Sequence, residues 1–204
     1  MIKAVIFDIG GVILDTNILI SQAIKVFRPE NPEAFSRETS IETMRACRGE
    51  ISLFEAFKEL AQKHGKDIPD KLLRELWIKD FEKSIPINKE TERIILSLKG
   101  KYKLGIISNI IPEHAEIIVK AESYKKLFKE FDFRIFSNEV KMTKDKKDIF
   151  LLAIEKAGVS PEECVFTDDI PDFVEMAKSV GINGILFKNA EQFRNDLRKL
   201  GVKV

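Results

Sequence analysis

The stretch MIKAVIFDIGGVILDT, residues 1–16, decides the fold. An apolar, partly β-branched run ends at Phe7 and delivers Asp8 to a turn containing Gly10 and Gly11. Runs of this length and composition read as buried strands, and the glycines that follow mark a loop. A carboxylate at the end of a buried strand is costly unless something there uses its charge. In open α/β sheets that position is the usual ligand crevice, which makes Asp8 the first functional candidate.

Four further segments read as strands: 103–108, 131–136, 164–167 and 184–187. Amphipathic helical stretches separate most of them. Gly158, Gly181 and Gly201 fall where helix C-caps belong, and Asn189 with Gln192 looks like an N-terminal cap. Alternating strands and helices imply a parallel sheet covered on both faces. The expected fold class is therefore α/β, a Rossmann-like doubly wound parallel sheet core.

One region breaks the alternation. Between Thr16 and Pro86 the pattern is helical throughout. Ser52 and Glu55 form a capping-box signature ahead of Leu53, Phe54, Phe57, Leu60 and Ala61, and Gly65 closes that helix. Pro69 opens another helix expected to carry Leu72, Leu73, Leu76, Trp77 and Phe81. So long a segment exceeds a simple β-to-α crossover, which needs only about a dozen residues. Residues 16–86 are expected to form an inserted α-helical cap domain, and residues 1–15 with 87–204 the catalytic core.

Composition narrows the class of function. The chain has 204 residues, 44% of them hydrophobic, enough for a substantial core. A net charge of +1 gives no field that would favour nucleic acid or an acidic membrane surface. No apolar stretch approaches the roughly 18 residues that cross a bilayer, and the N-terminus reads as a strand, not as a signal peptide. Cys47 and Cys164 are isolated and suggest neither a disulfide framework nor a zinc site. The expectation is a cytoplasmic monomer or homodimer that binds neither nucleic acid nor membrane. Charged residues reach 33%, dominated by lysine and glutamate, which is the bias described for hyperthermophile proteins.

Three other strand ends carry chemistry. The strand 103–107 ends at Ser108-Asn109, with Pro112 where a helix would start; a hydroxyl beside free backbone N–H groups can cradle phosphate, although Ser-Asn is also a common turn. Lys144 lies in a polar loop ahead of the helix containing Ile149 and Phe150, where a lysine is ordinarily a solvated charge. The strand 164–167 ends at Asp168-Asp169, with Asp172 in the next turn. Adjacent carboxylates at about 4 Å repel by roughly 4 kcal/mol at an effective dielectric near 20. A divalent cation relieves that repulsion, and magnesium characteristically takes one or two carboxylates together with waters and substrate phosphate.

In order, Asp8, Ser108, Lys144 and Asp168-Asp169 resemble the haloacid dehalogenase-like hydrolase superfamily over nearly the whole chain. Phe7-Asp8 through Asp15 is similar to its first motif, Ser108-Asn109 to its second, Lys144 to its third and Phe166 through Asp172 to its fourth. Arg48-Gly49-Glu50-Ile51-Ser52 is similar to a segment of its small helical caps. The resemblance implies that Asp8 is the nucleophile that forms an aspartyl-phosphate, which water then hydrolyses. It implies that Ser108 and the backbone N–H of Asn109 hold phosphoryl oxygens, while Lys144 neutralises developing charge. Mg²⁺ would be held by Asp8, the carbonyl of Gly10 and Asp168, with Asp169 as a further ligand. Asp172 is expected to orient the loop or cap the helix that follows.

This chain departs from the family pattern at Gly10, where its phosphatases carry an aspartate as general acid. Such catalysis is worth about 10²- to 10⁴-fold. A good leaving group, a donor from the cap, water or Asp15 could compensate. The implied function is a Mg²⁺-dependent phosphatase of a small phosphorylated metabolite, a sugar phosphate among the candidates. Two alternatives stand beside it: a metal-independent 2-haloacid dehalogenase, and a non-catalytic member that binds a phosphorylated ligand or a protein. Arg45, Arg48 and Trp77 are candidates for substrate contact.

Overall fold

The computed structural model describes residues 1–16, 18–76, 78–79, 81 and 85–204, with Ile18 and Leu19 described by backbone alone. Five parallel strands form one sheet: β1 (Ala4–Phe7), β2 (Lys103–Ser108), β3 (Phe133–Phe136), β4 (Cys164–Asp168) and β5 (Asn183–Leu186), in spatial order β3-β2-β1-β4-β5. The chain builds outward from β1 through β2 to β3, then crosses to the other side for β4 and β5. The reversal of direction lies between β1 and β4, and crevices at such switch points are where open α/β sheets bind ligands.

Period-two alternation sorts the strand residues between two cores. Ala4 and Ile6, with Cys164 and Phe166, pack under α9 (Asp148–Ala157), which follows the short α8 (Ser137–Val140), and under α10 (Pro171–Lys178). Val5, Phe7 and Val165 face the opposite way. That second face is covered by α5 (Lys89–Leu98), α6 (Pro112–Lys120), α7 (Glu122–Phe128) and α11 (Ala190–Lys199). All four β1 residues are buried, so the strand reads as a continuous apolar run. Gly105 in β2 allows the Phe133 ring to lie against the backbone; a Cβ there would fall 2.3 Å from the ring. Strand β3 begins at Phe133, later than its apolar run suggests, because the Asp132 side chain accepts the Leu104 N–H at 2.7 Å where a ladder carbonyl would otherwise do so.

Helices α1 (Ile18–Phe27), α2 (Pro32–Cys47), α3 (Leu53–Lys63) and α4 (Asp70–Glu75) lie between β1 and α5. The sequence signals place their ends well. Asn31 accepts the Ala34 N–H ahead of Pro32, and the Ser52–Glu55 capping box is formed in both directions. Phe27, Phe35 and Phe57 form an aromatic centre, with Phe27 at 4.9 Å from Phe35 and 6.1 Å from Phe57 between ring centroids. Helix α4 is shorter than expected, because Leu76 turns to an extended backbone and ends it. Trp77 lies outside the described residues.

The segment leaves and rejoins the sheet side by side. Asp15 N–H donates to Pro86 O at 3.2 Å, and Asn88 N–H to Ile13 O at 2.8 Å. Buried Tyr124 reinforces the return, its hydroxyl donating to Ile85 O at 2.6 Å. Tyr124→Phe is expected to lower stability by about 1–3 kcal/mol in urea denaturation, since it strands a buried carbonyl. A loss below about 0.5 kcal/mol would mean that water satisfies Ile85 instead.

Candidate active site

The C-terminal ends of β1, β2 and β4 meet around one crevice of about 380 Å³, lined by Asp8, Gly10, Ser108, Asn109, Lys144 and Asp169 among others. Register explains the meeting. Phe7 pairs with Thr167 and with Ile106, so the next residues of β1 and β4, Asp8 and Asp168, emerge at the same level. Asp8 N–H donates to Thr167 O at 3.0 Å and continues the ladder to the brink of the turn.

That turn is closed by Gly11 N–H donating to Leu14 O and by Ile13 and Leu14 N–H groups donating to Ile9 O. Gly11 has φ +73°, and a Cβ there would lie 2.2 Å from Asp169 Oδ2. Glycine thus serves twice, by accepting the left-handed conformation and by leaving room for the Asp169 carboxylate against the loop.

Lys144 is the charge that joins the strand ends. Its Nζ donates to Asp8 Oδ1 at 2.7 Å and to Asp168 Oδ2 at 2.5 Å, and all three side chains are almost entirely buried. The other Asp168 oxygen, Oδ1, accepts the Ile170 N–H at 2.9 Å. The Lys144 ammonium also lies 4.8 Å from the Phe173 ring centroid, close enough for a cation–π contact. A loop lysine reaches this depth because the Asn109 side chain accepts the Lys144 backbone N–H at 3.0 Å. Asn109 Nδ2 in turn donates to Met44 Sδ at 3.4 Å on α2.

Electrostatics follow from that burial. Loss of water pushes Asp8 up to about 7, with Asp168 and Asp169 adding to the rise and Lys144 opposing it. Burial works to lower Lys144, but its two carboxylate partners outweigh that and hold it above its ordinary value. Asp169 is also raised, by withdrawal from water and then by the charge of Asp168. Cys47 lines the same crevice, yet burial pushes its thiol up to about 12, which excludes it as a thiolate nucleophile.

Oxygen atoms of Asp8, Asp168 and Asp169 all lie within 4.8 Å of one another. Three carboxylates at that spacing, with Gly11 leaving the recess for Asp169, form a hard-oxygen set suited to Mg²⁺.

Other sequence candidates fall elsewhere. Asp172 does not cap α10; Ile170 is the N-cap residue and Asp168 takes its N–H. Asp15 lines a different cavity with Asn88 and Glu90. Arg45 pairs with Glu42 and Glu59, and Arg48 with Glu50, so their charges are spent within the helical segment. The crevice wall from that segment is instead Thr16, Ile20, Ser40, Thr43, Met44 and Cys47.

Residues 2–181 match the family described as haloacid dehalogenase-like hydrolase. The chain belongs to this family. Among its relatives, the hydrolase is 26% identical to a phosphorylated carbohydrates phosphatase of Thermotoga maritima, over 90% of this chain and 83% of that protein. It is 24% identical to a D-ribitol-5-phosphate phosphatase of Bacteroides thetaiotaomicron, over 97% of each. The crystal structure of a HAD family enzyme from Bacteroides thetaiotaomicron superposes with a TM-score of 0.75 at 24% identity, covering 97% of this chain and 98% of that one. A further structure of that enzyme, with magnesium and inorganic phosphate, gives 0.70 over 92% and 95%.

The raised Asp8 value fixes the sign of a pH effect in metal-free hydrolase. Between its ordinary value of 3.8 and about 7, the folded chain keeps a proton that the unfolded chain has released. Stability in EDTA is therefore expected to fall as pH rises through that window, measured as Tm relative to Asp8→Asn, which cannot titrate. Mg²⁺ favours the ionised carboxylates, so its increment in Tm is expected to grow with pH. An increment that stays constant across the window would contradict the coupling.

Proposed function

We propose that this hydrolase is a Mg²⁺-dependent phosphatase of small phosphorylated metabolites, acting through an aspartyl-phosphate on Asp8. The observation that carries the reading is the buried Lys144 ammonium shared by Asp8 and Asp168, beside Ser108, Asn109 and Asp169. The segment 16–86 acts in this reading as a helical cap that closes the crevice over the 1–15 and 87–204 core. The phosphatases among the relatives support it.

Each residue has a task that follows from its position. The ester phosphorus lies in line with Asp8, whose carboxylate attacks and displaces the leaving-group oxygen. Lys144 keeps Asp8 oriented and offsets the charge gathering on the phosphoryl oxygens. Ser108 Oγ–H and the Asn109 backbone N–H hold those oxygens, while the Asn109 side chain fixes the Lys144 loop. Asp8, Asp168, Asp169 and the Gly10 carbonyl would hold Mg²⁺, which supplies electrostatic screening between phosphate and carboxylate. Water then attacks the acyl phosphate, returning Asp8 and releasing phosphate.

Purified protein with Mg²⁺ is expected to hydrolyse an aryl phosphate, and EDTA or Asp8→Asn to reduce the rate at least about 10³-fold, the scale of losing a covalent nucleophile. Activity surviving Asp8→Asn would remove the mechanism. Chloride release from 2-chloropropionate in EDTA would favour the dehalogenase alternative, with which Gly10 is compatible.

Gly10 leaves the site without the family's proton donor. Its φ is not in the left-handed region, and a Cβ there would meet Thr16 Oγ1 at 3.1 Å, a contact that a side-chain rotation relieves. Gly10→Asp is expected to raise kcat/KM for alkyl phosphates more than for aryl phosphates, by about 10-fold or more in the ratio. An unchanged ratio would indicate that leaving-group protonation is already supplied.

A further inference from the structure

A second lobe, of about 150 Å³, opens from the same rim as the Asp8 crevice. Gly10, Thr16, Thr43, Cys47, Ser108 and Asn109 line both volumes, so the two adjoin around the β1 and β2 strand ends. Their chemistry differs. Asp8, Lys144 and Asp169 line the first alone. The second is walled by Ile110, Ile111, Ile118 and Phe81, with His114 stacked on Phe81 at 4.0 Å between ring centroids and 26° between planes.

Local structure produces this contrast. Ile110 and Ile111 directly follow Ser108-Asn109, so one short loop gives both volumes part of their polar rim and the second volume alone its hydrocarbon wall. His114 and Ile118 stand four residues apart on α6 and share one face of that helix. A polyhydroxylated group reaching past the shared rim would exchange water for Ile110, Ile111, Ile118 and Phe81, where, among the described residues, His114 is the one polar side chain lining the wall. An alkyl or aryl group would lose nothing and gain the burial.

We infer that this lobe receives the leaving-group side of the substrate, and that the preferred substrate is a phosphomonoester with a compact apolar alkyl or aryl group. The inference rests on the phosphatase reading and narrows it away from sugar phosphates. Phosphoryl recognition belongs to the charged volume, and discrimination among esters to the apolar one.

Alkylphosphonates test the lobe without turnover. Calorimetric titration of the Mg²⁺-loaded protein with methyl-, propyl- and butylphosphonate is expected to show affinity rising about three- to fourfold per methylene until the lobe is full. His114→Ala enlarges the lobe and is expected to move the maximum to a longer chain. Where that variant fails to fold, Phe81→Leu, which removes the other ring, is expected to make the same shift. A flat series at the affinity of inorganic phosphate overturns the inference, as does tighter binding of 2,3-dihydroxypropylphosphonate than of butylphosphonate. Ester hydrolysis is scored separately. Graded phosphonate binding without hydrolysis of any ester leaves the lobe standing and removes the phosphatase; hydrolysis with a flat series does the reverse. Binding of neither phosphate nor any phosphonate removes both.

Discussion

A single ammonium group, Lys144 Nζ, lies between two buried carboxylates, and the arrangement of the strand ends depends on it. Without a cation the Asp8–Asp168 pair would repel by kilocalories in a medium poorer in water than the surface. One lysine offsets the pair only partly, and Asp169 adds a third negative group at the rim. The cluster remains short of positive charge, and Asp8 is displaced upward chiefly because burial takes it from water, with Asp168 and Asp169 adding to the rise. A site in this condition favours a ligand that brings a dication. The same shortage that makes the cluster costly to fold makes it selective.

Position, more than residue identity, gives Lys144 its role. The loop before α9 also contains Lys141, Lys146 and Lys147, all of them more exposed. Lys144 is drawn inward by the Asn109 carboxamide at its backbone N–H, and Asn109 is in contact with Met44 of α2. Ser137, fully buried at the end of β3, adds a second tie. Its hydroxyl accepts Ile110 N–H at 3.0 Å and donates to Cys47 O at 2.9 Å. The loop after β2 is thereby connected on one side to the lysine and on the other to the C-terminus of α2.

Much of this was legible in the sequence, for reasons that can be named. The strands stood out because burial on both faces demands unbroken apolar runs, and the caps because their side chains answer a local need of the backbone. Asp8, Ser108 and Asp168-Asp169 were conspicuous as polar residues where apolar strands end, Lys144 stood in a polar loop like an ordinary surface charge, and the order of all of them along the chain carried the family resemblance. What escaped was the wall of the crevice. Thr43 and Met44 sit on a helix with little separation of polar and apolar faces, and Ser40 and Ile20 have equally ordinary neighbours. Phe81 and His114 look like core packing or surface in one dimension, and only the return of the chain at Ile85 brings them together. Arg45 and Arg48 drew attention by charge, yet nearby glutamates in three dimensions account for them. Asp172 looked like a cap, whereas Asp168 reaches the Ile170 N–H first.

The central place of β1 has a temporal consequence. Ala4 is paired on one side with Lys103 and on the other with Cys164, so β1, the earliest of the five strands in the sequence, gains its second neighbour only once β4 has been made. Contacts this distant along the chain must await their partners and close large loops, which slows folding. During synthesis β1 has both edges open until β2 emerges, and one edge open from then until β4 emerges. The helices of residues 18–75, whose contacts are local, can assemble meanwhile. Asp8 therefore passes most of translation in water as an ordinary carboxylate, and it acquires its unusual surroundings only when the sheet is completed around it.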